Sequence, residues 1–407
     1  MDQAPLRVLA VQTTPGISSE VNVLRILLDA SMRAPSGPAR IEVLLMQGVE
    51  GSGAGGRSAA DAFVGLSGVQ VHEVQMGGLG REGFGVMRRA AKVVDLARMR
   101  LARRGLLRAA RQFRPDVVYS AQQRWDQRLT TPIAARLGRP RVVHLHYTVG
   151  PWLGADAVES LRTADLLIGV SNYICDNAIA GGVAASRTQT LYNAATAEAP
   201  LPPSERARVR AQLRTELSMS GDAVVVGMVG RLSASKCQLE LLRAMEPILR
   251  DSPDVHLVLA GTEYPTGNGL SERLRAAAAA AGVARQLHLL GHRGDVAALL
   301  DAFDVFAHPS REDPCPMAVL EAMAHGLPVV AWREGGPAEQ VADRETGLLV
   351  PPMDVGALTE ALMALVRDEP MRTTMGDAAR ARVETTFRPD VAAARFAELL
   401  SGVAARV

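Results

Sequence analysis

His308-Pro309-Ser310-Arg311-Glu312-Asp313-Pro314-Cys315-Pro316-Met317-Ala318-Val319-Leu320-Glu321-Ala322-Met323-Ala324-His325-Gly326-Leu327-Pro328-Val329-Val330-Ala331 is the stretch that decides the fold. The apolar run Val305 to His308 reads as a strand, and it gives way to a polar loop that holds Glu312 and Asp313 between breakers. A helix starts near Pro316, because proline's missing N–H would be unpaired at the first helical position anyway. Gly326 stops that helix, and Leu327 to Ala331 forms the next strand. Strand, loop, helix and strand in this order make one unit of a parallel sheet. Such sheets bind ligands at the carboxyl ends of their strands, where Asp313 and the helix start fall. The amides of Met317, Ala318 and Val319 have no intrahelical acceptor there. With the helix dipole they form an anion site that suits a diphosphate. Glu321 lies farther along, among Met317, Leu320 and Met323, and needs a polar partner. A ribose hydroxyl pair is one candidate and bulk water is the other.

Upstream, the same alternation repeats. Ala223 to Val229 is a buried strand, Gly230-Arg231-Leu232-Ser233-Ala234-Ser235-Lys236 a loop, and Gln238 to Arg250 a helix. Two cations five positions apart between strand and helix can converge on one anion, arginine as a fixed fork and lysine as a mobile point charge. Val255 to Ala260 is a strand closed by Gly261, Asn268 to Gly282 an Ala-rich helix, and Leu287 to Leu290 a strand ending in Gly291-His292-Arg293-Gly294. Downstream come a turn and short helix at Gly335–Glu339, a last strand at Gly347–Val350, and helices at 354–366, 371–385 and 389–405.

The first half of the chain carries a looser version of the pattern. Leu6 to Val11 reads as a buried strand, broken at Thr13-Thr14-Pro15-Gly16, with a helix to Arg33. A glycine after the first strand lets a ligand approach the backbone, though a plain turn would use one too. Further strands are Ile41–Met46, Asp116–Ser120, Arg141–Tyr147, Leu166–Val170 and Gln189–Tyr192, with 47–68 a surface loop. Arg141–Tyr147 brings His144 and His146 to its carboxyl end, where a histidine serves either structure or chemistry. Residues 194–203, rich in Ala and Pro, read as a linker. The expected organisation is an α/β domain over 1–198, a second over 199–385, and a C-terminal helix over 386–407 that returns to the first domain. Helices lie on both faces of parallel sheets, with a cleft between the domains.

Composition agrees and narrows the classes. The 407 residues exceed one ordinary domain, 48% are apolar, and the net charge of +2 gives no bulk attraction to nucleic acid. Cys175, Cys237 and Cys315 lie far apart without metal-ligand spacing, which points to a reducing, cytoplasmic compartment. No signal pattern opens the chain, and no apolar run reaches the roughly 18–20 residues of a membrane span. Arg88 to Arg114 is strongly basic with interleaved aliphatic residues. It reads as a solvated helix face, or as a surface docking on anionic lipid on the inner face of the membrane.

The ordered motifs of the second half, from Val226 to Pro351, resemble glycosyltransferase family 4, retaining enzymes of the GT-B fold with two facing Rossmann-like domains. The resemblance implies transfer of a sugar from a nucleotide-diphosphate donor to an acceptor hydroxyl on a glycan, lipid or small molecule, without a metal or other cofactor. It assigns Gly230, Arg231 and Lys236 to the donor diphosphate, with Gly261 closing the following strand. His292 and Arg293 fall in the base-binding segment, Pro316, Met317 and Ala318 at the phosphate-facing helix start, and Glu321 on the ribose. The donor sugar falls to Asp313 or Glu312, His146 lies near that sugar, and Gly16 borders the phosphates or acceptor. The chain departs from the family in having Asp313 where Glu is usual, Cys237 where Gly is frequent, and Pro15-Gly16-Ile17 in place of a double glycine. Two other functions share this architecture: a nucleotide-sugar epimerase, and a sugar-nucleotide-binding protein without turnover.

Overall fold

Every strand among the described residues runs parallel to its neighbours, in two sheets. The computed structural model describes residues 5–14, 18–33, 41–49, 59–75, 101, 103–195, 201–263 and 269–406. The first sheet holds β1 (Leu6–Gln12), β2 (Ile41–Val49), β3 (Val69–Gln75), β4 (Val117–Ala121), β5 (Arg141–Leu145), β6 (Leu166–Gly169) and β7 (Thr188–Thr190), in the order β3-β2-β1-β4-β5-β6-β7. The second holds β8 (Val224–Val229), β9 (Val255–Ala260), β10 (Leu287–Gly291), β11 (Val305–His308), β12 (Val329–Trp332) and β13 (Gly347–Val350), in the order β10-β9-β8-β11-β12-β13. In each sheet the strand order reverses once, between β1 and β4 and between β8 and β11. That reversal is where a doubly wound sheet leaves a crevice beyond its carboxyl ends.

The chain divides into two compact units, 1–193 with 389–407, and 194–388. The breaks thus fall near 193 and 388, a few residues from the expected 198 and 385. The C-terminal helix Pro389–Ala404 belongs to the first unit, where Phe396 meets Tyr119 edge-on at 5.5 Å between ring centroids. Helix Pro203–Glu216, which the sequence reading left unassigned, opens the second unit. Arg210 and Arg214 fix it there through Asp304, at 2.7 and 2.9 Å. Asp304 also accepts the amide of Val225 at 2.8 Å, so one half-buried carboxylate ties the helix to β8.

Burial follows the expected periodicities. Helix Gln238–Asp251 turns Leu241, Leu242, Met245, Ile248 and Leu249 onto β8 and β9, and helix Val355–Arg367 adds Leu358, Leu362 and Leu365. The inner strands β4, β5, β6, β9, β11 and β12 are buried along their length, as expected of parallel sheets covered on both faces, while the edge strands β3 and β10 are more open. Reading the sequence missed β3 and helix Arg124–Leu137, whose polar content and internal Pro132 mask the helical period. In the expected loop 47–68, β2 continues to Val49 and a short turn of helix, Ala59–Phe63, buries Phe63, while 50–58 lie outside the described residues. Most of the basic segment Arg88–Arg114 lies outside the described residues, of which 103–113 are helical. Among the described residues, no helix is long and apolar enough to cross a membrane.

Candidate active site

The carboxyl edge of the second sheet collects the diphosphate candidates. β8 ends at Val229, and the loop 230–236 bends back before the helix. Buried Gln238 braces that loop by donating to the Arg231 carbonyl at 2.7 Å and accepting from the Ser233 amide at 3.4 Å. Gly261 is demanded by close approach, since a Cβ there would lie 1.9 Å from the Gly230 carbonyl oxygen. Cys237 adopts a left-handed φ of 55°, which explains why glycine is an easy residue at that position.

The second loop, after β11, is stitched to the first. The Arg311 amide donates to the Ser235 carbonyl at 2.8 Å, and Lys236 Nζ bonds Asp313 Oδ2. His308 Nε2 lies 2.9 Å from the same oxygen. Glu312, exposed and held at φ 51°, stays out of this trio. Behind it, Gly335 and Gly336 press on the turn: added Cβ atoms would fall 2.5 Å from the Asp313 carbonyl oxygen and 2.2 Å from that of Pro314. The Gly336 amide donates to the Asp313 carbonyl at 2.7 Å, and Gln340 Nε2 donates to the Pro316 carbonyl at 3.2 Å. Pro316 is therefore the N-cap rather than the first helical residue, and Met317–Ala324 is the helix. Met317 and Ala318 are half-buried in its first turn, and half-buried Glu321 follows one turn later.

Burial pushes the Asp313 carboxyl up, but the His308 hydrogen bond and the Lys236 charge outweigh it and hold the group well below the usual carboxylate range. Burial lowers the His308 pKa, while the hydrogen bond and charge of Asp313 pull the other way. A neutral ring facing a carboxylate must donate from Nε2, which leaves Nδ1 as a bare lone pair. Nδ1 is indeed buried without a hydrogen-bond partner. The remaining donor-side candidates lie on the next loop. Arg293 is gripped by Asp295 at 2.6 Å and Glu216 at 2.8 Å, so its guanidinium is already engaged, while His292 beside it is exposed.

The edge of the first sheet is built from buried amides and acids. Gly16 lies outside the described residues. Gln122, fully buried just beyond β4, accepts the amides of His146 and Tyr147 at 2.8 and 2.7 Å. Its Nε2 donates to the Tyr147 carbonyl at 2.9 Å. One side chain thus fixes the backbone that presents His146, whose pKa burial takes down to about 3. His144 lies at the carboxyl end of β5 as expected, with its ring 4.4 Å from that of His146 between centroids, but it is fully buried and its Nδ1 is 2.9 Å from the Tyr119 hydroxyl. Asp126 accepts the Thr13 amide at 2.8 Å, and Glu20 accepts from Thr14 at 3.0 Å and Gln123 at 2.8 Å. Burial raises both acids. They secure the backbone leading to residue 16. Sequence reasoning did not single out Gln122, Glu20, Asp126, Gln238 or His308. The available signal was a polar residue at or just after the end of an apolar strand, as in Gln122 after Val117–Ala121.

The comparisons with known proteins point the same way. The profile for Glycosyl transferases group 1 matches residues 209–382, and that for Glycosyltransferase Family 4 matches residues 67–198. The chain is 34% identical over 294 residues to a GDP-mannose-dependent alpha-(1-6)-phosphatidylinositol monomannoside mannosyltransferase of Mycolicibacterium smegmatis, covering 67% of this chain and 73% of that protein. It is 36% identical over 180 residues to a D-inositol 3-phosphate glycosyltransferase of Corynebacterium jeikeium, covering 43% of this chain and 42% of that one. Among solved structures, Anabaena HepE with UDP and glucose superposes with a TM-score of 0.76 at 22% identity, over 97% of this chain and 99% of that chain. Sucrose-phosphate synthase from Thermosynechococcus elongatus gives 0.75 at 19%, over 99% and 100%. Two parallel Rossmann-like sheets, an anion-oriented loop pair on the second and a relative matched over most of its length make the chain a member of glycosyltransferase family 4, a sugar transferase with the GT-B fold.

Proposed function

We propose that the protein transfers a hexosyl group from a nucleotide-diphosphate sugar to a ring hydroxyl with retention of anomeric configuration. The observation that carries this is the Lys236–Asp313–His308 trio beside the helix start at Met317. As the glycosidic bond breaks, the leaving diphosphate gains negative charge. Arg231, Lys236 and the amides of Met317 and Ala318 supply fixed positive potential there. Donor binding moves Lys236 from Asp313 to phosphate and frees the carboxylate to accept donor-sugar hydroxyls. Asp313 takes that role rather than Glu312, and Glu321 binds the ribose. With no side chain among the described residues set as a nucleophile, the departing phosphate accepts the acceptor's proton on the same face.

GDP-mannose is the donor proposed first. The GDP-mannose-dependent relative shares 34% identity over most of both chains, whereas the UDP-bound structure is 22% identical and speaks for the fold. Both named relatives act on inositol-containing acceptors, which supports a cyclitol or sugar hydroxyl as acceptor. The charge work is assigned to side chains and amides, so turnover is expected to survive EDTA. Docking of Arg88–Arg114 on anionic lipid is a separate proposal, and liposome flotation that shows equal absence from anionic and neutral vesicles would sink it.

A thermal-shift panel of guanosine, uridine and adenosine diphosphates and their sugars tests the donor. A ligand present at a hundred times its Kd stabilises by about 2.7 kcal/mol, so the correct base stands out. Indifference to all three defeats the reading. Donor turnover without acceptor and without hydrolysis would favour an epimerase. NMR of the product's anomeric proton decides retention.

A further inference from the structure

The edge of the first sheet carries an aromatic ring and two guanidiniums that sugar transfer, as described so far, does not use. After His146 the chain runs through Tyr147 and Thr148 into the turn Pro151–Leu153. Trp152 sits on that turn with 56% of its surface open, the only aromatic residue among the exposed large apolar side chains of the described residues. The indole is nevertheless held in place. Its Nε1 donates to the Thr148 carbonyl at 3.2 Å, and Tyr147 meets it edge-on at 6.4 Å between centroids and 88° between planes. The Tyr147 hydroxyl is 3.3 Å from Ser19 Oγ at the start of helix Ser19–Arg33, so this aromatic pair adjoins the backbone that presents His146. An indole with its N–H satisfied and its ring open forgoes the stabilisation that burial would bring. The C–H face of a sugar or cyclitol ring is a partner of matching size and polarity.

The charge beside it is unbalanced. Arg124 lies against Gly154, two residues from Trp152, with Cζ 3.0 Å from where a Cβ would stand. Arg124 Nη2 and Arg128 Nε each reach Asp156, at 2.7 Å, so two cations share one carboxylate. Arg128 also lies over the Trp125 ring at 4.9 Å, which keeps its fork flat. These groups are a third to a half exposed, so water weakens the pairs and an incoming oxyanion can replace one of them. The fork geometry suits a phosphate ester.

We propose that Trp152, Arg124 and Arg128 form an acceptor subsite in which the indole stacks on the acceptor ring and the guanidiniums hold a phosphate substituent. The acceptor is then an anionic cyclitol or sugar, carrying either a phosphate monoester or the phosphodiester of a lipid headgroup. This rests on the transferase reading and adds the substituent that the acceptor must carry.

Calorimetric titration of the full chain without donor tests it, using D-inositol 3-phosphate, myo-inositol and inorganic phosphate. Vesicles of phosphatidylinositol in phosphatidylcholine separate the lipid source from the free one. Wild type should bind D-inositol 3-phosphate or the phosphatidylinositol vesicles at least about tenfold more tightly than myo-inositol or plain vesicles, a preference worth about 1.4 kcal/mol. Trp152→Ala should weaken the phosphorylated probe about tenfold, with partial recovery in Trp152→Phe. The double variant Arg124→Gln/Arg128→Gln should lose the preference for phosphate. All variants should bind nucleoside diphosphate as wild type does, which also shows that they fold. Unchanged probe affinity in these variants overturns the subsite. So does absence of binding of both phosphorylated probes to a wild type that binds nucleoside diphosphate, and that outcome leaves the transferase reading standing.

Discussion

The two sheet edges are built on one plan and put to different use. Each lies at the reversal of a parallel sheet, beyond β1 and β4 in one unit and beyond β8 and β11 in the other. The second edge is made of backbone brought close by glycines at 261, 335 and 336, with charge supplied by Lys236 and the helix start at Met317. The first edge is made of side-chain amides and acids, with Gln122, Glu20 and Asp126 buried and Gln123 half-buried, which hold the neighbouring backbone and side chains by hydrogen bonds. A diphosphate is the same in every donor, so a backbone cradle with fixed cations suits it. An acceptor varies, and side chains can be exchanged without rebuilding the backbone. The second edge should therefore fail by loss of donor binding and charge stabilisation, and the first by loss of rate or acceptor affinity at unchanged donor affinity.

The largest expected break is Lys236→Ala. It removes the cation proposed to neutralise the leaving group and leaves Asp313 with His308 alone, so turnover should fall on the order of 10²-fold or more. Unchanged turnover in steady-state assays would count heavily against the second edge as the donor site. Next comes Gly261→Ala, which puts a methyl into the Gly230 carbonyl at a positive φ. Overpacking of this kind costs about 1–3 kcal/mol. Calorimetric melting should show that loss together with weakened stabilisation by nucleoside diphosphate. Gly221→Ala, where nothing lies within 4 Å, should melt as wild type.

On the first edge, Gln122→Leu removes the acceptor shared by the His146 and Tyr147 amides. Displacement of His146 by about 1 Å can cost as much as 10²-fold in rate. The expected pattern is a lower kcat with the donor KM kept, and a parallel loss of donor affinity would erase the contrast between the edges. The smallest effect is in pH dependence. His146 titrates near 3 in the folded chain and near its ordinary 6.5 when unfolded. A depressed histidine is neutral when folded, so acidification below 6.5 charges only the unfolded chain and stability falls as pH drops toward 3. The contribution of one such group is about 1.4 kcal/mol per pH unit over that window. In His146→Gln the slope of unfolding free energy between pH 6 and 5 should be shallower by roughly that amount, as urea titrations at the two pH values would show.

The edges also differ in how plainly they were written in the sequence. At the second, short spacings carry the geometry: Arg231 to Lys236 and the paired glycines 335–336 sit within single loops or turns, and Asp313 to Glu321 spans one loop and the start of its helix. Alternating apolar runs and stops placed β8 to β13 almost residue for residue. At the first, the decisive contacts bridge long separations, as in Thr13 to Asp126 and Gln122 to His146, and no local pattern reports them. Helix Arg124–Leu137 was invisible because its polar face and Pro132 hide the period, and with it went Asp126. The His308–Asp313 bond shows a limit of a different kind. Both residues were in view, but only packing tells whether neighbours in a loop turn toward each other. The same bond holds the short Asp313 side chain in place.

Calorimetric titration of GDP and GDP-mannose into wild type, Lys236→Ala and His146→Ala tests the division of labour between the edges most directly. The account predicts donor affinity near wild type in His146→Ala and a loss of about tenfold or more in Lys236→Ala. Equal losses in the two variants, or full affinity in Lys236→Ala, would contradict it.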